Sequence, residues 1–523
     1  MKKSNLELLY QMLFYNLIGM LMIVFLYIFT GIEGSFIFGF FYFIFFVINI
    51  FFQSIFPIVI SKITDEYNYL GYYKQKYKFY KFGVRIFIFI GLFMFIFMFL
   101  SSDILSKLLF KNIVDIKLIY NISSIIKIFS ISMLIIPILN FYRGYISGNK
   151  LNGSVFISRL LESLSIFIFM LFGCLIGINF FHFSSIQCIQ IFAFSYCIGV
   201  LISFLYLIFI YHRHNKIINK ETMKVTNVVV TDKAIFNKIY SGIHLYLNIW
   251  LFHLIVYFVD IVMIIRITAN KSYYSIVDLK TMVSFFSVLG FQLFIFFMLI
   301  IIIYIFRKIK SIDIEKLVTI FPNLLTKILY IVLPYTFIIS ILGNSIWKIF
   351  YSVNDFASRI FKYYILILPI FIIFVLIILV LKHLKEEKRL IKFIYIGLVT
   401  KILLNLPLIY AFDKMKFPMC YGSITSTIIG YFVIVCLSLN YISKKHKTAY
   451  EECISSILNI FISSIVMAII LLIISYLFPC TSRNVFINLL YSMFIFGIGI
   501  IIYNGICLKM GLINNKLLSK RVK

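Results

Sequence analysis

The 523-residue chain is 63% hydrophobic and 19% aromatic but only 13% charged, with a mean hydropathy of +1.05. Soluble domains carry about 25% charged residues, so a soluble globular protein is excluded and lipid is the solvent this composition requires. The formal net charge of +30 would suggest nucleic acid in a soluble protein. Here Lys and Arg gather in short loops between apolar runs, where they set topology and meet anionic headgroups, so nucleic acid is not expected as a partner.

A crossing takes roughly 20 apolar residues. Runs of that length predict fourteen transmembrane helices, over 8–30, 35–60, 82–101, 118–141, 155–178, 186–211, 240–265, 281–304, 318–343, 361–381, 390–411, 419–443, 452–478 and 485–508. The first reads as a retained helix, because no small-residue cleavage site follows it. With the N-terminus inside, cytosolic segments collect roughly 31 Lys/Arg and external loops roughly 11, the asymmetry expected of a multi-pass membrane protein with both termini cytosolic. The fold class is therefore all-α and membrane-embedded. Basic and polar turns recur about 235 residues apart, which predicts two six-helix lobes related by a pseudo-two-fold axis along the membrane normal, with two further helices. The corresponding domains are an N-terminal lobe (1–211), a cytosolic linker (212–239), a C-terminal lobe (240–443), and a last helix pair with a basic tail (444–523).

Charge inside hydrocarbon is the informative signal, since each such group costs roughly 2.5–3.5 kcal/mol. Glu162 and Asp260 are the acidic residues well inside spans; Arg85, Lys127, Arg159, Lys327, Lys362, Lys392 and Lys401 are the cations. Arg85, Lys362 and Lys392 lie near predicted helix ends and are expected to snorkel to the headgroups. Arg159 and Glu162, at i,i+3 on one face, can pair with each other, as a structural ion pair or as a substrate contact. Lys401 lies mid-span, where a polar cavity suits it better than snorkelling. Lys127 and Lys327 are intermediate. Asp260 pairs with Arg266 at the membrane rim or marks a coupling-ion site. His244, Asn248 and His253 share roughly one face, without nearby acids, and suit packing better than metal. The eight cysteines include no CxxC and read as small core hydrophobes. No metal, cofactor or catalytic motif is expected, and no Walker loop, HExxH or GxSxG occurs.

Several segments resemble the lipid-linked-saccharide flippases of the MurJ and stage V sporulation protein B type. Pro57-Ile-Val-Ile-Ser-Lys62, with Asp65-Glu-Tyr67 and Gly71, is similar to the end of that family's second helix. Arg143, Gly144 and Gly148 match its RGxxxG loop, and Ser158-Arg-Leu-Leu-Glu162 resembles the helix after it. Thr400-Lys-Ile-Leu-Leu-Asn-Leu-Pro407 resembles its helix eleven, with Lys401 on the family lysine, and Ser241 to Asp260 fits helix seven. The family's helix-one cation falls on Asn16, the second helix lacks Lys and Arg, and the arginine four residues after the helix-five glutamate is Ile166.

The resemblance implies the multidrug/oligosaccharidyl-lipid/polysaccharide exporter superfamily, with alternating access of two lobes, and the bacterial cytoplasmic membrane as its location. It implies a polyprenyl-pyrophosphate-linked saccharide, lipid II or a related one, as substrate. Arg159, Lys401, Lys127 and Lys327 would bind its phosphates, Glu162 would orient Arg159, and Lys62, Arg143, Gly144 and Gly148 would form the cytosolic family loop. A monovalent coupling ion is a further expected partner besides the bilayer. The rival expectations are a drug or cation antiporter of the same fold, and an inactive or scaffolding paralogue.

Overall fold

The computed structural model describes residues 2–110, 116–220, 231–268, 275–308, 317–351, 354–446, 451–480 and 482–512. Its described elements are helical, as befits a backbone that must satisfy its own hydrogen bonds in hydrocarbon. The first helical stretch, Lys2–Ile50, breaks at Gly31, whose φ of 66° lies in the left-handed region that glycine enters without steric cost. α1 therefore covers 2–30. α2 covers 32–69 and passes through a π-helical turn at Phe51–Ile55 into Phe56–Tyr69. Then come α3 (Tyr73–Phe110), α4 (Ile116–Gly148), α5 (Asn152–Phe181), α6 (Ser185–Lys220) and α7 (Asp232–Thr268). α8 (276–308) holds a second π-helical turn, Phe285–Leu289. After α9 (Leu317–Ile341) and a short helix, Gly343–Phe350, come α10 (355–383), α11 (Glu387–Lys414), α12 (Cys420–His446), α13 (Glu451–Leu477) and α14 (Val485–Lys509).

Thirteen described stretches are long and apolar enough to cross a membrane, and that count runs α1 on into the start of α2. About fourteen crossings is the result. Several helices overrun their expected ends, because hydropathy registers the apolar stretch and not its polar helical continuation. α3 starts at Tyr73, α6 runs to Lys220 and α7 starts at Asp232, so helix occupies both flanks of the expected linker. The middle of that linker (221–230), the basic run 309–316 and the tail 513–523 lie outside the described residues. The two π-helical turns fall in the second and eighth helices at an offset of 234 residues, close to the repeat length read from the loops.

The chain divides into two compact units, Phe14–Leu251 and Met1–Leu13 with Phe252–Lys523. The division falls inside α7. Its first half is fastened within the first unit by Lys238 to Glu66 at 2.8 Å, Lys78 to Asp232 at 3.3 Å, and Trp250 against Phe51.

Within the first unit, α4 packs against α2 at glycine distance. A Cβ on Gly144 would lie 2.7 Å from Ile60 Cβ, and one on Gly148 2.6 Å from the Ser61 carbonyl. Small residues four apart let helix backbones approach closely in a membrane, where dispersion replaces the hydrophobic effect. Beyond Gly148, the buried Lys76 ammonium donates to Asn68 at 2.6 Å and Asn149 at 3.0 Å, while Asn68 donates to the Gly148 carbonyl. A ring cluster of Tyr80, Tyr142 and Tyr211, with a 2.8 Å hydroxyl contact, ties α3, α4 and α6 together. The outer faces keep large apolar side chains exposed, among them Phe93 and Phe97 on α3 and Leu472 and Ile473 on α13. These are the faces a bilayer covers.

Candidate functional site

In the first unit, α2, α4, α5 and α6 bring a polar network together around Arg143, which is 1% exposed. Its Nε donates to Ser158 Oγ at 3.2 Å, Nη1 to Asn140 Oδ1 at 3.3 Å, and Nη2 to Ser203 Oγ at 2.9 Å and to the Glu162 carboxylate. Ser203 in turn donates to the Ser158 carbonyl at 2.9 Å. A fully buried guanidinium survives in such a place only when paired and ringed by acceptors.

This corrects one expectation. Glu162 pairs with Arg143 on α4, not with Arg159 one turn before it on its own helix. Arg143, expected to organise the cytosolic family loop, is an interior residue in the last turns of α4. The i,i+3 spacing allowed the Arg159 pair, but Arg143 reaches the carboxylate from α4, and Ser158 and Ser203 also accept from it.

Arg159 has neutral partners. Its Nη1 donates to the Tyr15 hydroxyl at 2.6 Å, its Nη2 to the Gln53 carbonyl at 3.3 Å, and the guanidinium lies 5.6 Å from the centre of the Tyr15 ring. Gln53 sits in the π-helical turn of α2, and its side-chain amide donates to Glu162 at 3.2 Å. Such turns gather at functional sites because they redirect backbone groups. Arg159 Nε has no acceptor among the described residues, and the Tyr15 hydroxyl, having accepted, keeps its own proton to give. The cluster of Arg143, Arg159 and Glu162 therefore carries a formal charge of +1, half-buried at Arg159.

The second unit holds a different arrangement. Lys401, on α11, is fully buried, and its ammonium pairs with Asp260 of α7 and donates to Asn405 Oδ1 and Ser426 Oγ, each at 3.1 Å. Ser423 and, at 3.4 Å, Thr427 of α12 donate to the same carboxylate. Three N–H bonds meet three oxygens, so the ammonium is saturated and the pair is formally neutral. Gly430, whose Cβ would come 3.1 Å from Lys401 Cβ, lets α12 close over the lysine. The expected Asp260–Arg266 rim pair is not formed: Asp260 is buried against Lys401, and Arg266 is exposed.

The remaining candidates lie apart from these networks. Lys127 binds Asp103 at 3.2 Å with both side chains substantially exposed. Lys327 is half-buried on α9, and Lys62 is exposed. The Asn248 amide donates to the His244 carbonyl, and the His253 ring packs among Phe252, Phe371, Phe374 and Tyr431. Among the described residues no three His, Cys, Asp or Glu side chains gather as a metal site. Sequence reasoning missed Tyr15, Gln53, Asn140 and Ser203, as well as Ser423, Ser426 and Thr427. Uncharged polar residues inside apolar spans were the available signal, but such residues also occur on many helices where they only bond their own backbone.

No family model matches the chain. It is 21% identical over 442 residues to the lipid II flippase MurJ of Bacillus subtilis (strain 168), an alignment covering 79% of this chain and 77% of that protein. Among solved structures it is similar to lipid II flippase MurJ in an inward closed conformation, with a TM-score of 0.61 and 16% identity over 96% of this chain and 98% of that one. The fold is that of the MOP-superfamily transporters. A multidrug-resistance MATE transporter of that superfamily, in its inward-facing conformation, matches with a TM-score of 0.56 and 13% identity, over 84% of this chain and 96% of the transporter. The MurJ structure thus covers more of the chain than the MATE structure. The multi-pass membrane architecture of this MOP fold places the Arg159 and Lys401 networks on helices that cross the bilayer.

Proposed function

We propose that the chain is a flippase that moves a polyprenyl-pyrophosphate-linked envelope saccharide, lipid II or a related molecule, across the cytoplasmic membrane by alternating access. Both termini lie in the cytosol on this reading. The observation that carries it is the uncompensated guanidinium of Arg159. A cation held in a membrane-spanning helix by neutral acceptors is expensive unless water or an anion supplies the missing charge. A pyrophosphate has the complementary problem, since it cannot enter hydrocarbon without a cationic replacement for its water. Arg159 and the Tyr15 hydroxyl would bind it with charge-assisted hydrogen bonds, while Arg143 and Glu162 hold Gln53 and helix α5 in register. The similarity to MurJ proteins supports this cargo class. Lys401 would join phosphate binding only in a conformation in which Asp260 releases it, and Lys127 and Lys327 would serve as outlying cations.

The test is transport of a labelled lipid-linked saccharide in proteoliposomes, together with complementation of a flippase-depleted strain. Arg159→Gln should abolish both while the protein still inserts, and Arg159→Lys should restore part of the rate. Full activity of Arg159→Gln would remove the proposed phosphate contact.

The antiporter reading needs a membrane-buried acid free to bind a proton or sodium ion. Asp260 and Glu162 each already hold a resident cation, which disfavours that reading. A monovalent coupling ion at Asp260 would likewise have to displace the Lys401 ammonium.

A further inference from the structure

A separate basic concavity of about 620 Å³ opens at one end of the second unit, lined by Arg359, Lys414, Lys416, Asp413, Phe356 and Phe417. Helix direction places it. α10 begins there and ends at the basic turn 382–389, whereas α11 begins at that turn and ends at Lys414. The concavity is thus at the opposite end of these helices from the Lys382–Arg389 cluster, and it is remote in sequence from Arg159.

Its chemistry is that of a phosphate receptor with an apolar floor. Three cations and one carboxylate leave a formal charge of +2. Arg359 is tethered by its Nε to the Asp355 carbonyl at 3.3 Å, and its guanidinium lies 6.0 Å from the Phe356 ring centre. Lys414 and Lys416 are exposed, and neither ammonium has a protein acceptor among the described residues. Lys416 has a φ of 60° in the turn after α11, a conformation for which glycine is favoured, so a lysine there sets a cation at the pocket edge against backbone preference. Phe417 continues into a stack with Tyr421, which lies 4.5 Å from Tyr363, and the Tyr421 hydroxyl bonds the Arg359 carbonyl at 3.1 Å. A lone rim lysine snorkels into headgroups without making a pocket. Here three cations converge on one concavity of ligand size, with aromatic faces for a glyceryl or sugar group.

We propose that this concavity binds the phosphate-bearing headgroup of an amphiphile, separately from the Arg159 network and whatever cargo that network takes. The headgroup has two sources: an anionic phospholipid of the adjoining leaflet, or a pyrophosphate-linked carrier.

The full-length protein in phosphatidylcholine nanodiscs is titrated with phosphatidylglycerol and, separately, with inorganic pyrophosphate, and bound species are read by native mass spectrometry. Wild type should hold at least one probe roughly tenfold more strongly than Arg359→Gln/Lys414→Gln/Lys416→Gln. Lys382→Gln/Lys385→Gln/Lys388→Gln, at the other end of the helices, should behave as wild type. Loss of phosphatidylglycerol alone assigns the site to membrane lipid, and loss of pyrophosphate assigns it to a carrier head. Equal retention of both probes by wild type and the pocket variant overturns the proposal, as does equal loss in the control variant. All six substituted side chains are near helix ends and charged, so melting temperature in the same nanodiscs serves as the folding control.

Discussion

The two buried ion networks look alike in sequence and differ in their charge balance. In the second unit, one ammonium meets one carboxylate and two further oxygens, and nothing is left over. In the first, two guanidinium groups stand against one carboxylate, which Arg143 takes, and the excess positive charge rests on Arg159, whose partners are neutral. A closed pair holds helices together. An open one also has charge to offer a ligand. Charge in a membrane span is therefore weak evidence of a binding site until its counter-charge has been traced.

The strongest test of this contrast is Asp260→Leu, which strands the Lys401 ammonium and should cost roughly 3–5 kcal/mol, seen as loss of monodisperse protein and a sharply lower melting temperature. The double variant Asp260→Leu/Lys401→Met should recover most of that stability. If it remains as unstable as the single variant, the pair is not the closed structural unit described here. Glu162→Gln should cost less, about 1.5–3 kcal/mol, because Ser158, Ser203 and Asn140 still accept from Arg143. Gly148→Val tests the scaffold that brings α4 and α2 together, and overpacking there should cost about 1–3 kcal/mol in thermal stability. Arg159→Gln should change stability by less than about 1 kcal/mol while abolishing transport, since it removes unbalanced charge rather than a pair. A large stability loss there would make Arg159 as structural as Lys401.

The smallest effect is expected at the pair between Glu386, in the turn before α11, and Lys445, near the end of α12. Lys445 donates to Glu386, as does Tyr441, and the two hold its carboxyl below the usual range. Its contribution is complete above the ordinary carboxylate pKa and is lost only as pH falls through the lowered value. Glu386→Gln should leave transport unchanged and lower the melting temperature only slightly at pH 7, and that small difference from wild type should narrow on acidification.

Composition and the spacing of apolar runs were enough to determine an all-helical, multi-pass membrane protein with about fourteen crossings, because the bilayer imposes one length and one backbone solution on every span. The basic turns suggested a repeat of about 235 residues, and the π-helical turns at 51–55 and 285–289 fall at a similar spacing. The charged positions were legible too, since a cation or acid in an apolar run stands out. Their partners were not. Lys401 and Asp260 are 141 residues apart in the chain and Arg143 and Glu162 are 19 apart, and only the packing of separate helices makes these pairs. Local spacing offered Arg159 with Glu162 and Asp260 with Arg266 instead. Side chains in a low-dielectric interior choose partners by distance and complete satisfaction of their charge, and those are properties of the folded helices.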